Sequence, residues 1–209
     1  MPPTPQTGRH GTGQYFEPAP AVRSAPRPIT LLLPDVTLRL MTDRGVFSAG
    51  GVDPGTKRLL LDGPPLPAGA VDLLDLGCGY GPIALTLASR APDSTVWAVD
   101  TNRRARVLCA HNADANGLAN VRVAAPDEVP GSVRFAAIWS NPPIRVGKQA
   151  LHRLLLRWFE RLSPDGHALL VVHRHLGSDS LSRWLTDNGW PATRRSSRAG
   201  YRILEVRRP

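Results

Sequence analysis

Asp72 to Ala88 reads DLLDLGCGYGPIALTLA. An apolar run of strand length, VDLLDL from Val71 to Leu76, meets glycines at alternate positions, Gly77, Gly79 and Gly81. Pro82 then opens a stretch whose apolar residues recur at helical spacing. Glycine permits positive φ and close backbone approach, so a strand-to-helix loop of this kind suits a nucleotide-like ligand. The G-x-G-x-x-G spacing that cradles a pyrophosphate needs its third glycine at position 82, where Pro82 stands. Asp75, two residues ahead of the first glycine, is also a poor neighbour for a phosphate.

Outward from this stretch, strand-like runs alternate with helix-period segments. Strands are expected at VDLLDL, STVWAV, VRVAA, RFAAIW and HALLVVH, with GYRILEVRR as a last strand. Helices are expected at Pro82 to Arg90, Asn102 to Asn116, Gln149 to Leu162 and Asp179 to Asn188. In the third of these, Leu151, Leu154, Leu155, Trp158, Phe159 and Leu162 fall at helical spacing, with Arg153, Arg157 and Arg161 on another face. The alternation predicts an α/β, Rossmann-like fold with a mainly parallel sheet, occupying residues 71–209. Upstream, ITLLLP and VTLRLM, a long loop and a short apolar stretch from Lys57 to Leu61 read as a β-rich entry, residues 29–70. Residues 1–28 hold seven prolines and three glycines with few large apolar side chains, the composition of a disordered tail.

The chain has 209 residues and a formal charge of +9, with 24 of its 26 basic residues arginine. That balance points to a polyanionic partner, RNA or DNA, as readily as to a solvated basic surface. Cys78 and Cys109 make neither a disulfide framework nor a metal site, and Cys78 is read as a small packing residue between glycines. Without an 18-residue apolar run or a leader, a soluble cytoplasmic protein with no membrane partner is expected. Oligomeric state is not legible.

A cationic cofactor removes the objection that Asp75 raises. S-adenosylmethionine carries a sulfonium and an ammonium and no phosphate, so Asp75 is placed to orient the loop and favour the amino-acid end. Asp100, ending the next strand in VWAVDTN, is placed to accept from two ribose hydroxyls. Asp127, in APDEVP after the third strand, is placed to accept from an adenine amino group. After the fourth strand comes SNPPIR, Ser140 to Arg145. An exocyclic or amide nitrogen is a poor nucleophile because its lone pair is delocalised. Held by the Asn141 side-chain oxygen and the Pro142 carbonyl, it would aim that lone pair at a methyl group, with the charge developing on it stabilised. Pro142 and Pro143 fix φ and keep the corner rigid. His173 and His175 are expected nearby in packing or supporting roles, with no metal.

DLGCGYGPIALTLA, VDTN and SNPPIRVGK, in this order, resemble the class I S-adenosylmethionine-dependent methyltransferases of exocyclic amino groups. TDRGVFSAGGVDPGTKRLL and GYRIL further resemble the small-ribosomal-subunit RNA guanine-N2 methyltransferase C family, the methyltransferase small domain, especially its short single-domain archaeal relatives. The resemblance implies a seven-stranded sheet with an antiparallel last strand and guanine-N2 methylation of ribosomal RNA. It also implies cofactor contacts at Asp75, Gly77, Gly79, Gly81, Asp100 and Asp127, with Phe47 and Thr56 closing over the pocket. Asn141, Pro142 and Pro143 would form the catalytic corner, and Ile144, Arg145, Lys148 and Arg202 would meet the substrate. Two departures stand out: Ile144 replaces the aromatic residue many members carry, and the entry and tail stand where longer bacterial members have a second, degenerate domain. Adenine-N6 and protein glutamine-N5 methylation share this chemistry, and a catalytically silent RNA-binding module shares the fold. A dehydrogenase is disfavoured by Pro82.

Overall fold

The computed structural model describes residues 22–209. Strands β1 (Arg27–Leu32) and β2 (Thr37–Thr42) form an antiparallel hairpin, followed by α1 (Pro54–Asp62). Then come β3 (Asp72–Leu76), α2 (Pro82–Arg90), β4 (Thr95–Val99), α3 (Arg103–Ala115), β5 (Val121–Ala124) and β6 (Phe135–Ser140). The chain ends with α4 (Lys148–Phe159), β7 (Leu162–His173), α5 (Ser178–Asp187), β8 (Ala192–Arg198) and β9 (Tyr201–Arg207). Seven strands form one sheet in the order β5-β4-β3-β6-β7-β9-β8. β9 runs antiparallel to both neighbours, and the remaining pairs are parallel. This is the Rossmann-like arrangement expected, last strand included.

Alternation along the strands divides the core between the two faces. Leu73, Trp139, Leu169 and Ile203 pack with the hairpin residues Leu31, Leu38 and Leu40 and with Leu59 and Leu60 of α1. Their neighbours Leu74, Ile138, Leu170 and Leu204 pack on the other face with Leu151, Leu155, Trp158 and Phe159 of α4. The hairpin thus covers one face of the main sheet. The strand order reverses at β3, with β4 on one side and β6 on the other, so a crevice opens at the carboxyl ends of β3 and β6.

Two local assignments differ from the expectation. The stretch read as part of a β-rich entry is the helix α1: Asp53 caps it, its Oδ1 accepting from Thr56 N at 2.9 Å, and Pro54 occupies the first turn. ATRRSSR forms β8 without any large apolar residue; it lies at the sheet edge, mostly exposed, and its register comes entirely from pairing with β9. Most of the expected tail, residues 1–21, lies outside the described residues. Its last part is held to the body: Ser24 Oγ and Ala25 N donate to the Asp43 carboxylate at 2.6 and 2.5 Å, and Arg104 donates to the Val22 carbonyl at 3.0 Å.

Candidate active site

At the end of β3 the chain turns through Gly77 (φ 80°) and Gly79 (φ 55°), and a Cβ on either would meet nothing within 4 Å. The loop therefore presents bare backbone to open space. Asp75 Oδ2 accepts from Ala84 N at 2.9 Å, tying the strand end to the first turn of α2 across the loop. Its Oδ1 is buried without a protein partner. Burial pushes the Asp75 carboxyl up to about 8; the bond from Ala84 opposes the rise and the charge of Asp100 adds to it. Asp100 Oδ2 accepts from Gly79 N at 2.9 Å and Oδ1 from Asn102 N at 2.8 Å. The Thr101 backbone donates to this carboxylate as well, which leaves room for a further donor on one of its oxygens, and burial raises this carboxyl too. Asn102 caps α3, accepting from Arg104 N and Ala105 N at 2.9 and 3.3 Å, which fixes the turn after Asp100.

These groups open onto a mainly apolar cavity of about 260 Å³ that includes Leu76, Gly77, Gly79, Asp100 and Pro126. A second cavity, about 630 Å³, is lined by Asp53, Arg145, His173 and Tyr201 among others. Asn141, Pro142, Pro143 and Phe47 line both. The Asn-Pro-Pro corner is thus the wall between a glycine-loop cavity and an outer cavity.

The corner's polar groups are aimed by the rest of the fold. Asn141 Nδ2 donates to Asp53 Oδ1 at 2.7 Å and to Thr56 Oγ1 at 3.0 Å, so both amide hydrogens are engaged and Oδ1 is the group left for a ligand donor. Pro143 (φ −75°, ψ 71°) makes an inverse γ-turn in which Ile144 N donates to the Pro142 carbonyl at 2.8 Å. One lone pair of that carbonyl is therefore already used and one remains. Phe47, 41 % exposed, rides on a tethered loop: Asn102 Nδ2 donates to Gly45 O at 2.8 Å, and Tyr80 Oη donates to Gly51 O at 3.0 Å.

Four expected residues fall elsewhere. Asp127 lies in an exposed turn, its side chain 89 % exposed and paired with Arg157 at 2.6 Å; Pro126 lines the cavity in its place. Arg202 projects to the face opposite Tyr201, where it pairs with Asp179 of α5; alternation along β9 gives the outer cavity Tyr201 instead. Gly81 is the N-cap of α2 at φ 98°, and a Cβ there would lie 2.6 Å from Leu85 and 2.8 Å from Cys109 Sγ. It serves close packing and a left-handed turn, away from both cavities. Lys148 lines a third groove. Thr56 reaches the site from beneath, between Asn141 and the glycine loop. Asp53 and Tyr201 join the site without a motif of their own to mark them. The Asp-Pro start of α1 and the tyrosine of GYRIL were the available signals. Tyr201 also explains Gly55, where a Cβ would lie 2.6 Å from its ring.

A family model for the methyltransferase small domain matches residues 37–205. The chain belongs to this family. It is an S-adenosylmethionine-dependent methyltransferase. Its sequence is 34% identical over 197 residues to the uncharacterized protein YbxB of Bacillus subtilis, covering 93% of this chain and 98% of that one. It is 35% identical over 194 residues to the ribosomal RNA small subunit methyltransferase C of Pseudomonas aeruginosa, covering 86% of this chain and 54% of that one. In fold it is similar to the T. thermophilus 16S rRNA N2 G1207 methyltransferase solved with AdoMet and guanosine, with a TM-score of 0.73 and 24% identity over 91% of this chain and 52% of that one. The chain spans about half the length of these last two proteins.

The methyltransferase small domain of this chain fits the cofactor on its own geometry. Open space over Gly77 and Gly79 accommodates a ligand lying on the backbone. The unpartnered buried Oδ1 of Asp75 and the carboxylate of Asp100 are acceptors for N–H and O–H donors of a ligand, and a cationic ligand would offset the burial that holds both carboxyls toward their neutral forms. No helix among the described residues is long and apolar enough to cross a membrane.

Proposed function

We propose that this enzyme methylates an exocyclic NH2 group of a base in RNA, specifically guanine N2 in small-subunit ribosomal RNA. The observation that carries the reading is the enforced orientation of Asn141, whose amide nitrogen is held by Asp53 and Thr56 at the wall between two cavities. An NH2 group entering the outer cavity would donate one hydrogen to Asn141 Oδ1 and one to the remaining lone pair of the Pro142 carbonyl. Its nitrogen lone pair would then face the glycine-loop cavity. Asp75, Gly77, Gly79 and Asp100 would hold S-adenosylmethionine, whose methyl group would be the electrophile. Rigid acceptors would stabilise the charge growing on nitrogen; as the N–CH3 bond forms the S–CH3 bond would break, leaving S-adenosylhomocysteine, and the methylated nitrogen would lose its proton to water without a dedicated base. Ile144 and Phe47 would pack on the base, Arg145 would meet backbone phosphate, and a base from a helix would have to be flipped out or lie in a loop. The net charge of +9 and the rRNA methyltransferase relatives support RNA over protein.

Transfer of labelled methyl groups to total RNA, small ribosomal subunits and protein, followed by nucleoside analysis, tests this. Label recovered as N2-methylguanosine from RNA is the expected result. Label in protein alone overturns the reading, and label in N6-methyladenosine overturns the base assignment.

Asp53 acts as a positioning residue in this scheme. Asp53→Ala should lower kcat about 10- to 100-fold by freeing the Asn141 amide to rotate, while the KM for S-adenosylmethionine stays near that of the wild type. Asp53→Asn retains an acceptor oxygen and should restore most of the loss. Equal defects in both variants would show that carboxylate charge, and not orientation of Asn141, is what matters. Loss of the α1 cap adds about 1 kcal/mol of destabilisation to the alanine variant, readable as a small drop in Tm.

A further inference from the structure

The outer cavity does not end at the corner. A groove of about 480 Å³ continues from it between α4 and α5, and Ile144 and Leu176 line both. Its walls carry Lys148, His175 and the ring pair His152–Trp184, whose centroids are 3.4 Å apart with planes 11° from parallel. Burial and the nearby charge of Lys148 lower the His152 pKa, so the imidazole is held toward its neutral form. Lys148 and His175 are exposed on the groove, and Arg145 is exposed on the adjoining outer cavity. Among the described residues, neither Arg145 nor Lys148 has an acidic partner within 4.0 Å, while Asp179 of α5 pairs with Arg202. Two stacked rings inside a basic rim match the chemistry of a nucleotide: a planar base for the rings and a phosphate for the rim.

We infer that this groove is a subsite for the nucleotide adjacent to the target in single-stranded RNA, with its base against the His152–Trp184 pair and its phosphate near Arg145 and Lys148. The inference rests on the RNA reading above. Continuity decides the occupant: a strand whose target base fills the outer cavity and which continues past Ile144 enters the groove directly. The subsite also accounts for aliphatic Ile144 after the two prolines. Ile144 needs only to separate two bases, because stacking is provided one nucleotide away.

The test uses a short RNA that the wild-type enzyme methylates, together with versions made abasic at the position before or after the target. For the wild type, one of the two abasic RNAs should bind about 10-fold more weakly or worse. Trp184→Ala should bind the intact RNA as weakly as the wild type binds that abasic RNA, and should no longer distinguish the two. His152→Ala, at a residue further from the core, should show the same pattern to a smaller degree and serves if Trp184→Ala fails to fold. Persistence of the abasic penalty in both variants, or its absence in the wild type, overturns the subsite while leaving RNA methylation intact. Finding no RNA that the wild type methylates overturns the RNA reading itself.

Discussion

Asn141→Ala is expected to lower the rate of methyl transfer by about 10²- to 10³-fold while leaving the affinity for S-adenosylmethionine within a few-fold of the wild type. The side chain makes two hydrogen bonds to protein, to Asp53 and Thr56, and both orient it. Its remaining polar group is Oδ1, on a side chain that lines both cavities. Removing it deletes an acceptor whose interaction strengthens as charge develops on the nitrogen, which is a loss in kcat. The cofactor's proposed polar contacts lie elsewhere, at the glycine loop, Asp75 and Asp100. Single-turnover rates and equilibrium cofactor titration on the same protein separate the two quantities. Parallel loss of rate and cofactor affinity would contradict the role given to Asn141.

Asp75 provides the second large effect, in the pH dependence of the ligand-free protein. Burial raises its carboxyl from 3.8 to about 8 in the folded chain. A group raised in this way contributes stability that is fully present below the unfolded value and is lost as pH rises through the folded one. The wild type should therefore lose stability relative to Asp75→Asn between pH 4 and 8, by an amount on the order of 5 kcal/mol. At about 2–4 °C per kcal/mol for a chain of this size, the gap in Tm should widen by about 10–20 °C across that window, in favour of the variant. Asparagine keeps an acceptor for the Ala84 N–H, so the strand-to-helix tie survives. Tm curves that stay parallel from pH 4 to 8 would show that Asp75 is not the titrating group. A bound cation restores the ionised form, so cofactor binding below pH 8 should release a proton. Calorimetric titration in buffers of different ionisation enthalpy measures that release.

How much of this was readable in advance differs from residue to residue for physical reasons. Gly77, Gly79 and Asp100 come from short-range constraints: a turn that needs positive φ and an acid at a strand end, both encoded within a few neighbours. The four main helices start and stop within three residues of where capping and periodicity put them. The helix α1 was hidden because Asp-Pro-Gly reads equally as a turn, and only packing of Leu59 and Leu60 under the sheet selects the helix. β8 carries no apolar alternation at all and exists because β9 lends it a ladder. Arg202 and Tyr201 were separated by a single step of strand register, and which of them faces the outer cavity depends on which face of β9 the α1 end covers. Asp127 follows β5 at the expected sheet edge, but its side chain is exposed and pairs with Arg157 of α4, and Pro126 lines the cavity instead.

The amino-acid sequence alone determined the α/β alternation, the bare-backbone loop after β3 and the stiffness of the Asn-Pro-Pro corner, since each follows from sterics among adjacent residues. Tertiary structure alone decided which way the Asn141 amide points. Its restraint comes from Asp53, 88 residues earlier in the chain, and such a pairing depends on how the hairpin segment and α1 dock on the sheet, a property that no local pattern carries.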